Sequence, residues 1–226
     1  SVPRRCSSRR QARREEHRRG TEQIIFVSES AQKRTSARFL NTISHEGRTI
    51  MNLWHDIAPA RVRPEDFFAV IEIEKGSKNK YEMDKETGAL RLDRILYTST
   101  HYPANYGFIP RTWADDGDPL DVLVLCSECI RPLSLVECYP IGVISMEDSG
   151  SLDEKIIAIP FQDPTYNTYQ DISELPNHVA SEIRHFFRVY KSLEGKETVV
   201  SDVLGREEAI KIIIKCQNAY IEKYCR

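Results

Sequence analysis

The sequence predicts a mainly β domain whose strands close into a barrel, with two main helices on its C-terminal side. Two observations lead there: six short β-rich runs separated by turn residues, then two stretches whose apolar residues recur at helical spacing. At 226 residues the chain is long enough for one substantial core and does not demand two. No apolar run approaches the ~20 residues needed to span a bilayer, so a soluble, cytoplasmic protein is expected.

The elements follow in order. Phe67-Phe68-Ala69-Val70-Ile71-Glu72-Ile73 is rich in aromatic and β-branched residues, which suit a pleated surface. Lys80 to Asp84 and Leu90 to Arg94 read as two further strands. Leu120 to Leu125 reads as a buried strand carrying Asp121 at its mouth. Leu135 to Met146 and Lys155 to Ile159 complete a mostly antiparallel sheet, with acids in the hairpin connection between them. Pro176-Asn177 opens a helix with Val179, Ile183, Phe186, Phe187 and Tyr190 at helical spacing. After Gly205 a last helix sets Ala209, Ile212, Ile213, Cys216 and Tyr220 on one face.

Charge is divided unevenly. Residues 1–50 carry twelve Lys and Arg against five Glu, leaving twenty against twenty-nine acids in residues 51–226. Repeated arginine pairs with almost no apolar content cannot offset ordering entropy, so residues 1–50 are expected to be a disordered extension. It reads as a targeting peptide, a basic arm for nucleic acid, or upstream sequence from an over-extended gene model. The last is preferred, because Met51 suits a natural start and Glu15-Glu16 spoils a targeting pattern; a genuine targeting segment would imply an organelle. Six scattered Cys suggest no disulfide framework, and Cys126-x-x-Cys129 reads as two unrelated thiols in a reducing compartment.

The chemistry concentrates in Asp115-Asp116-Gly117-Asp118-Pro119-Leu120-Asp121. Gly117 permits a bend, Pro119 fixes φ, and the carboxylates of Asp116, Asp118 and Asp121 are set before an apolar run. Converging carboxylates repel one another and normally hold hard cations such as Mg²⁺ or Mn²⁺; the alternative is a polar turn with ordinary Asp punctuation. A second acidic cluster, Met146 to Lys155, contains Asp148 and Asp153, and Lys155 at its end suits a phosphate-bearing ligand. Lys80, Glu82, Arg94, Tyr106, Tyr190 and Lys191 fit that idea, though each alone reads as solvated or core.

Residues 51–226 resemble the family I soluble inorganic pyrophosphatases of bacterial and plant type. Asp116-Gly117-Asp118-Pro119-Leu120-Asp121 matches the D-G-D-P-x-D signature of that family. Around it stand Val70 to Ile73, Lys80 to Gly88, Leu92-Asp93-Arg94, Tyr102 to Ile109 and His185 to Lys191. The resemblance implies a five-stranded, OB-like barrel flanked by helices, and Mg²⁺-dependent hydrolysis of pyrophosphate to two orthophosphates, which drives biosynthetic reactions forward. Asp116, Asp121, Asp153, Asp148 and Glu72 would hold several Mg²⁺ ions, with Mn²⁺ or Zn²⁺ as substitutes and Glu72 at the rim. Asp118 would be the general base toward metal-activated water. Lys80, Arg94, Lys155, Tyr190 and Lys191 would hold the phosphoryl groups, Tyr106 would line the pocket and Glu82 would orient the lysines. A homo-oligomer is implied, a hexamer in preference to a dimer. The rival is an OB-like module binding nucleic acid through the basic arm; the acidic core disfavours it.

Overall fold

The computed structural model describes residues 51–148, 151–196 and 198–225, without the side chains of Asp148 and Ser151. Every expectation attached to residues 1–50 lies outside them.

Five strands form a ring. In spatial order they are β1 (Phe67–Ile73), β4 (Asn105–Phe108), β5 (Asp121–Val124), β7 (Ser151–Pro160) and β6 (Leu135–Asp148), and β6 returns to pair with β1. All pairings are antiparallel except β5 with β7. An outer strand, β8 (Val199–Gly205), extends the sheet from β6, and β2 (Asn79–Met83) with β3 (Leu90–Ile95) forms a separate hairpin. Two helices, α1 (Asn177–Val189) and α2 (Arg206–Tyr224), complete the domain.

Ring strands are buried on both faces, which is why β5 reads as an unbroken apolar run rather than an alternating one. Leu123, Ile157 and Ile159 join one core with Ile183, Phe186 and Phe187 of α1. Their strand neighbours Val122, Val124, Ile156 and Ala158 join a second core with Ala209, Ile212, Ile213 and Cys216 of α2. Each fully buried Phe, Ile or Leu contributes roughly 1.5–3 kcal/mol. Strand β4 comes so close to β1 that a Cβ on Gly107 would lie 1.8 Å from the Val70 carbonyl oxygen.

The structure corrects the sequence reading in three places. Strand β4 lies in a segment to which no strand was assigned; it is a strand because β1 and β5 pair with it from either side. Strand β8 was also not expected, since its largely exposed residues give no clean apolar alternation. The hairpin after β6 is tighter than expected, so Asp153 lies within β7 together with Lys155 rather than in the connection. That shift matters: residues two apart in a strand share a face, so Asp153 and Lys155 project together.

Candidate active site

Backbone irregularities aim two of the acids. Between β1 and β4 the register passes from Ile71↔Gly107 to Ile73↔Tyr106, making Glu72 the extra residue of a bulge. In the β2–β3 hairpin it passes from Lys80↔Arg94 to Tyr81↔Leu92, which makes Asp93 the extra residue there. The Asp116–Asp121 loop is turned by Gly117, whose φ of +85° lies in the left-handed region, and its Asp116 Oδ1 accepts the Asp118 N–H at 3.0 Å. The parallel register places Asp121 opposite Lys155.

These elements enclose a cavity of about 660 Å³. Asp116, Asp118, Asp121, Asp153, Glu72, Lys80, Glu82, Arg94, Tyr106, Lys155, Tyr190 and Lys191 all line it. Asp148 ends β6, paired with Ser151, and its side chain lies outside the described residues.

Lys155 organises the floor. It is 2% exposed, and its Nζ donates to Asp121 Oδ2 at 2.6 Å, Asp153 Oδ1 at 2.7 Å and the Tyr106 hydroxyl oxygen at 3.1 Å. The Tyr106 hydroxyl in turn donates to Asp121 Oδ2. Burial opposes the ammonium charge, but Asp121 and Asp153 outweigh it and hold the Lys155 pKa well above its ordinary value. The Tyr106 phenol is pushed up by burial and by the neighbouring Asp121 and Asp153 charges, so it remains a neutral donor.

Two carboxyl groups hold their protons unusually well. Glu72 is buried rather than at the rim and accepts the Met83 N–H at 2.7 Å. Burial raises its pKa to about 8 against that bond, with Asp121 adding to the rise. Asp116 is raised to about 6, by burial first and then by the charges of Asp121 and Asp153. At the mouth, Asp118 forms an ion pair with Lys85 on the hairpin. Both side chains are about half exposed, so the pair is worth at most ~1 kcal/mol and opens readily. Lys80 donates to Glu82 and, at 3.2 Å, to Asp93 Oδ2. Arg94 donates through Nη1 to Asp93 at 2.6 Å and through Nε to Glu194 at 2.9 Å. Lys85, Asp93 and Glu194 are site groups to which the sequence reading assigned no role. Lys85 and Asp93 fall inside quoted motifs, whereas nothing local marks Glu194.

The lining fits a hard divalent cation. Nine carboxyl groups (Glu72, Glu82, Asp84, Glu86, Asp93, Asp116, Asp118, Asp121, Asp153) face six cationic side chains (Lys80, Lys85, Arg91, Arg94, Lys155, Lys191). Oxygen donors in excess of cations are the environment that Mg²⁺ favours. Among the described residues no three Asp, Glu, His or Cys side chains form a ready-made cage, and the Lys155 ammonium bonds both Asp121 and Asp153.

Residues 69–221 match the family model described as inorganic pyrophosphatase. The chain is 50% identical over 176 residues to soluble inorganic pyrophosphatase 2 of Chlamydomonas reinhardtii, covering 78% of this chain and 92% of that one. It is 46% identical over 189 residues to soluble inorganic pyrophosphatase 1 of Arabidopsis thaliana, covering 84% and 89%. Among solved structures, an inorganic pyrophosphatase from Helicobacter pylori superposes with a TM-score of 0.68 at 45% identity, covering 70% of this chain and 95% of that one. One from Thermus thermophilus gives 0.69 at 40% identity, covering 75% and 99%.

Proposed function

Because this chain belongs to the inorganic pyrophosphatase family, we propose that its cavity hydrolyses pyrophosphate to two orthophosphates with the residues assembled there. The observation that carries the reading is the convergence, in one cavity, of an acid cluster on β5, β7 and the Asp116–Asp121 loop with cationic groups from the β2–β3 hairpin, β7 and the turn after α1. Pyrophosphate is a polyanion, and a lining with more carboxylates than cations repels it unless divalent ions enter with it.

Asp116, Asp121, Asp153, Asp148 and Glu72 are the residues that would hold Mg²⁺. Bound there, the ions supply charge neutralisation and a more acidic attacking water. Asp118 accepts the proton of that water. Its half-exposed carboxylate needs only to part from Lys85 to do so. The water oxygen forms the new bond to one phosphorus as the bridging P–O bond breaks, and the second phosphate departs with the bridging oxygen. Arg94, Lys80, Lys191 and Lys155 bind the phosphoryl oxygens, Arg94 through its planar fork, and Tyr190 adds a neutral donor. Glu82 orients Lys80. Tyr106, between Lys155 and Asp121, keeps both in register.

Phosphate release from pyrophosphate by the purified chain, with and without Mg²⁺, tests the reading. Rapid release that EDTA abolishes is expected, and a folded, Mg²⁺-supplied protein that releases none would overturn it. The reading extends to a homohexamer in the cytoplasm, checked by sedimentation equilibrium.

A further inference from the structure

The turn after α1 reverses the usual placement of apolar and charged side chains. In the 3-10 turn Ser192–Glu194, Leu193 is 67% exposed, whereas the Glu194 side chain is only 11% exposed. A carboxylate withdrawn from water needs a partner, and this one has Arg94, whose Nε donates to Glu194 Oε1 at 2.9 Å across 100 residues of sequence. The turn holds Glu194 in place: its N–H donates to the Lys191 carbonyl oxygen at 2.9 Å, and Gly195 closes the turn at φ +70°.

Arg94 is held at a second nitrogen as well. Its Nη1 donates at 2.6 Å to Asp93, the bulge residue of the hairpin. The third nitrogen, Nη2, is buried and has no partner among the described residues, although Arg94 lines the cavity. A buried donor left without an acceptor is an exception in folded proteins and calls for a ligand oxygen. Because the guanidinium is planar, gripping it at Nε and Nη1 fixes the direction of both Nη2 hydrogens.

We propose that Glu194 is a positioning residue: it locks Arg94 through Nε so that Nη2 is presented to a phosphoryl oxygen of the substrate. This rests on the reading of the cavity as a pyrophosphate site, and it joins the hairpin carrying Lys80 and Arg94 to the turn that follows Tyr190 and Lys191. Orientation lost at Nε is a loss of substrate binding before it is a loss of chemistry.

The test compares the full chain with Glu194→Ala, Glu194→Gln, Arg94→Ala and the Arg94→Ala/Glu194→Ala double variant. Glu194→Ala should raise KM for pyrophosphate about tenfold with a smaller change in kcat, and Glu194→Gln, which keeps an acceptor at the same reach, should recover most of that. In the Arg94→Ala background, Glu194→Ala should add nothing further. Calorimetric binding of methylenediphosphonate, in Mg²⁺, separates this inference from the hydrolytic one. Weaker binding to Glu194→Ala than to wild type supports the positioning role even if no protein releases phosphate. Equal binding by the two, no binding by wild type, an unchanged KM, or additive losses in the double variant would overturn it.

Discussion

Replacing Glu72 with Gln should remove most of the alkaline loss of stability in the metal-free protein. The Glu72 carboxyl is 8% exposed and accepts the Met83 N–H, and burial chiefly raises its pKa from 4.5 to about 8. A group whose folded pKa lies above its unfolded one contributes stability that is fully present below the unfolded value. That stability is lost as pH rises through the folded value. Across the interval from 4.5 to about 8 the loss amounts to roughly 5 kcal/mol, of which roughly 3 kcal/mol is gone by pH 7. Gln has a similar shape, can accept the same N–H and carries no charge at any pH, so the variant escapes this loss. With urea m-values of about 1–3 kcal/mol per molar, the midpoints of the two proteins should coincide near pH 5 and differ by about 2 M at pH 9, the variant being higher. Urea unfolding followed by tryptophan fluorescence, in chelator, measures both. Asp116, also raised, titrates in both proteins and cancels in the comparison. Parallel profiles from pH 5 to 9 would refute the claim that folding holds the Glu72 proton.

Three further outcomes follow from the geometry. Asp118→Asn should lower kcat by roughly 10²–10⁴ with Mg²⁺ affinity largely kept, as expected for loss of a positioned base; near-normal turnover would remove Asp118 from that role. Lys155→Met leaves Asp121 and Asp153 without the ammonium that both engage, which should cost roughly 3–5 kcal/mol in the absence of divalent ions. Thermal unfolding in EDTA checks this, and an unchanged Tm counts against it. Gly107→Ala puts a methyl group 1.8 Å from the Val70 carbonyl oxygen and should prevent ring closure, so a soluble variant with native near-ultraviolet circular dichroism would contradict the β1–β4 approach.

Much of the ring was legible because its signals are local. Phe67 to Ile73 and Leu120 to Leu125 are dense in apolar residues, and both helices show helical spacing of the residues they bury. Strands β4 and β8 were not legible. In β4, Asn105 and Gly107 are poor strand formers by themselves, yet Gly107 is required by the close approach of Val70 and Asn105 is fully buried. In β8, exposure leaves Ser201 and Asp202 beside Val199 and Val200, so the pattern resembles a loop until β6 pairs with it.

Most of the cavity lining was legible while its wiring was not, and one cause accounts for both. A carboxylate before an apolar strand, or a Lys after an acidic run, can be recognised from neighbouring residues, because the chain must bend and then bury itself there. Which charge meets which depends on strand register and on bulges. Lys155 reaches Asp121 only because β5 and β7 run parallel with those two residues opposite. Its link to Asp153 depends on the shared face of a strand that begins four residues before the sequence suggests. Arg94 meets Glu194 only after the hairpin and the end of α1 have been brought together. Lys85 stands in a recognised motif, yet its pairing with Asp118 spans 33 residues and exists only because the hairpin tip and the Asp116–Asp121 loop border the same cavity. The residue types required to hold a polyanion beside hard cations are therefore written locally, whereas the orientation that makes them a site is a property of the closed ring and of the two bulges at Glu72 and Asp93.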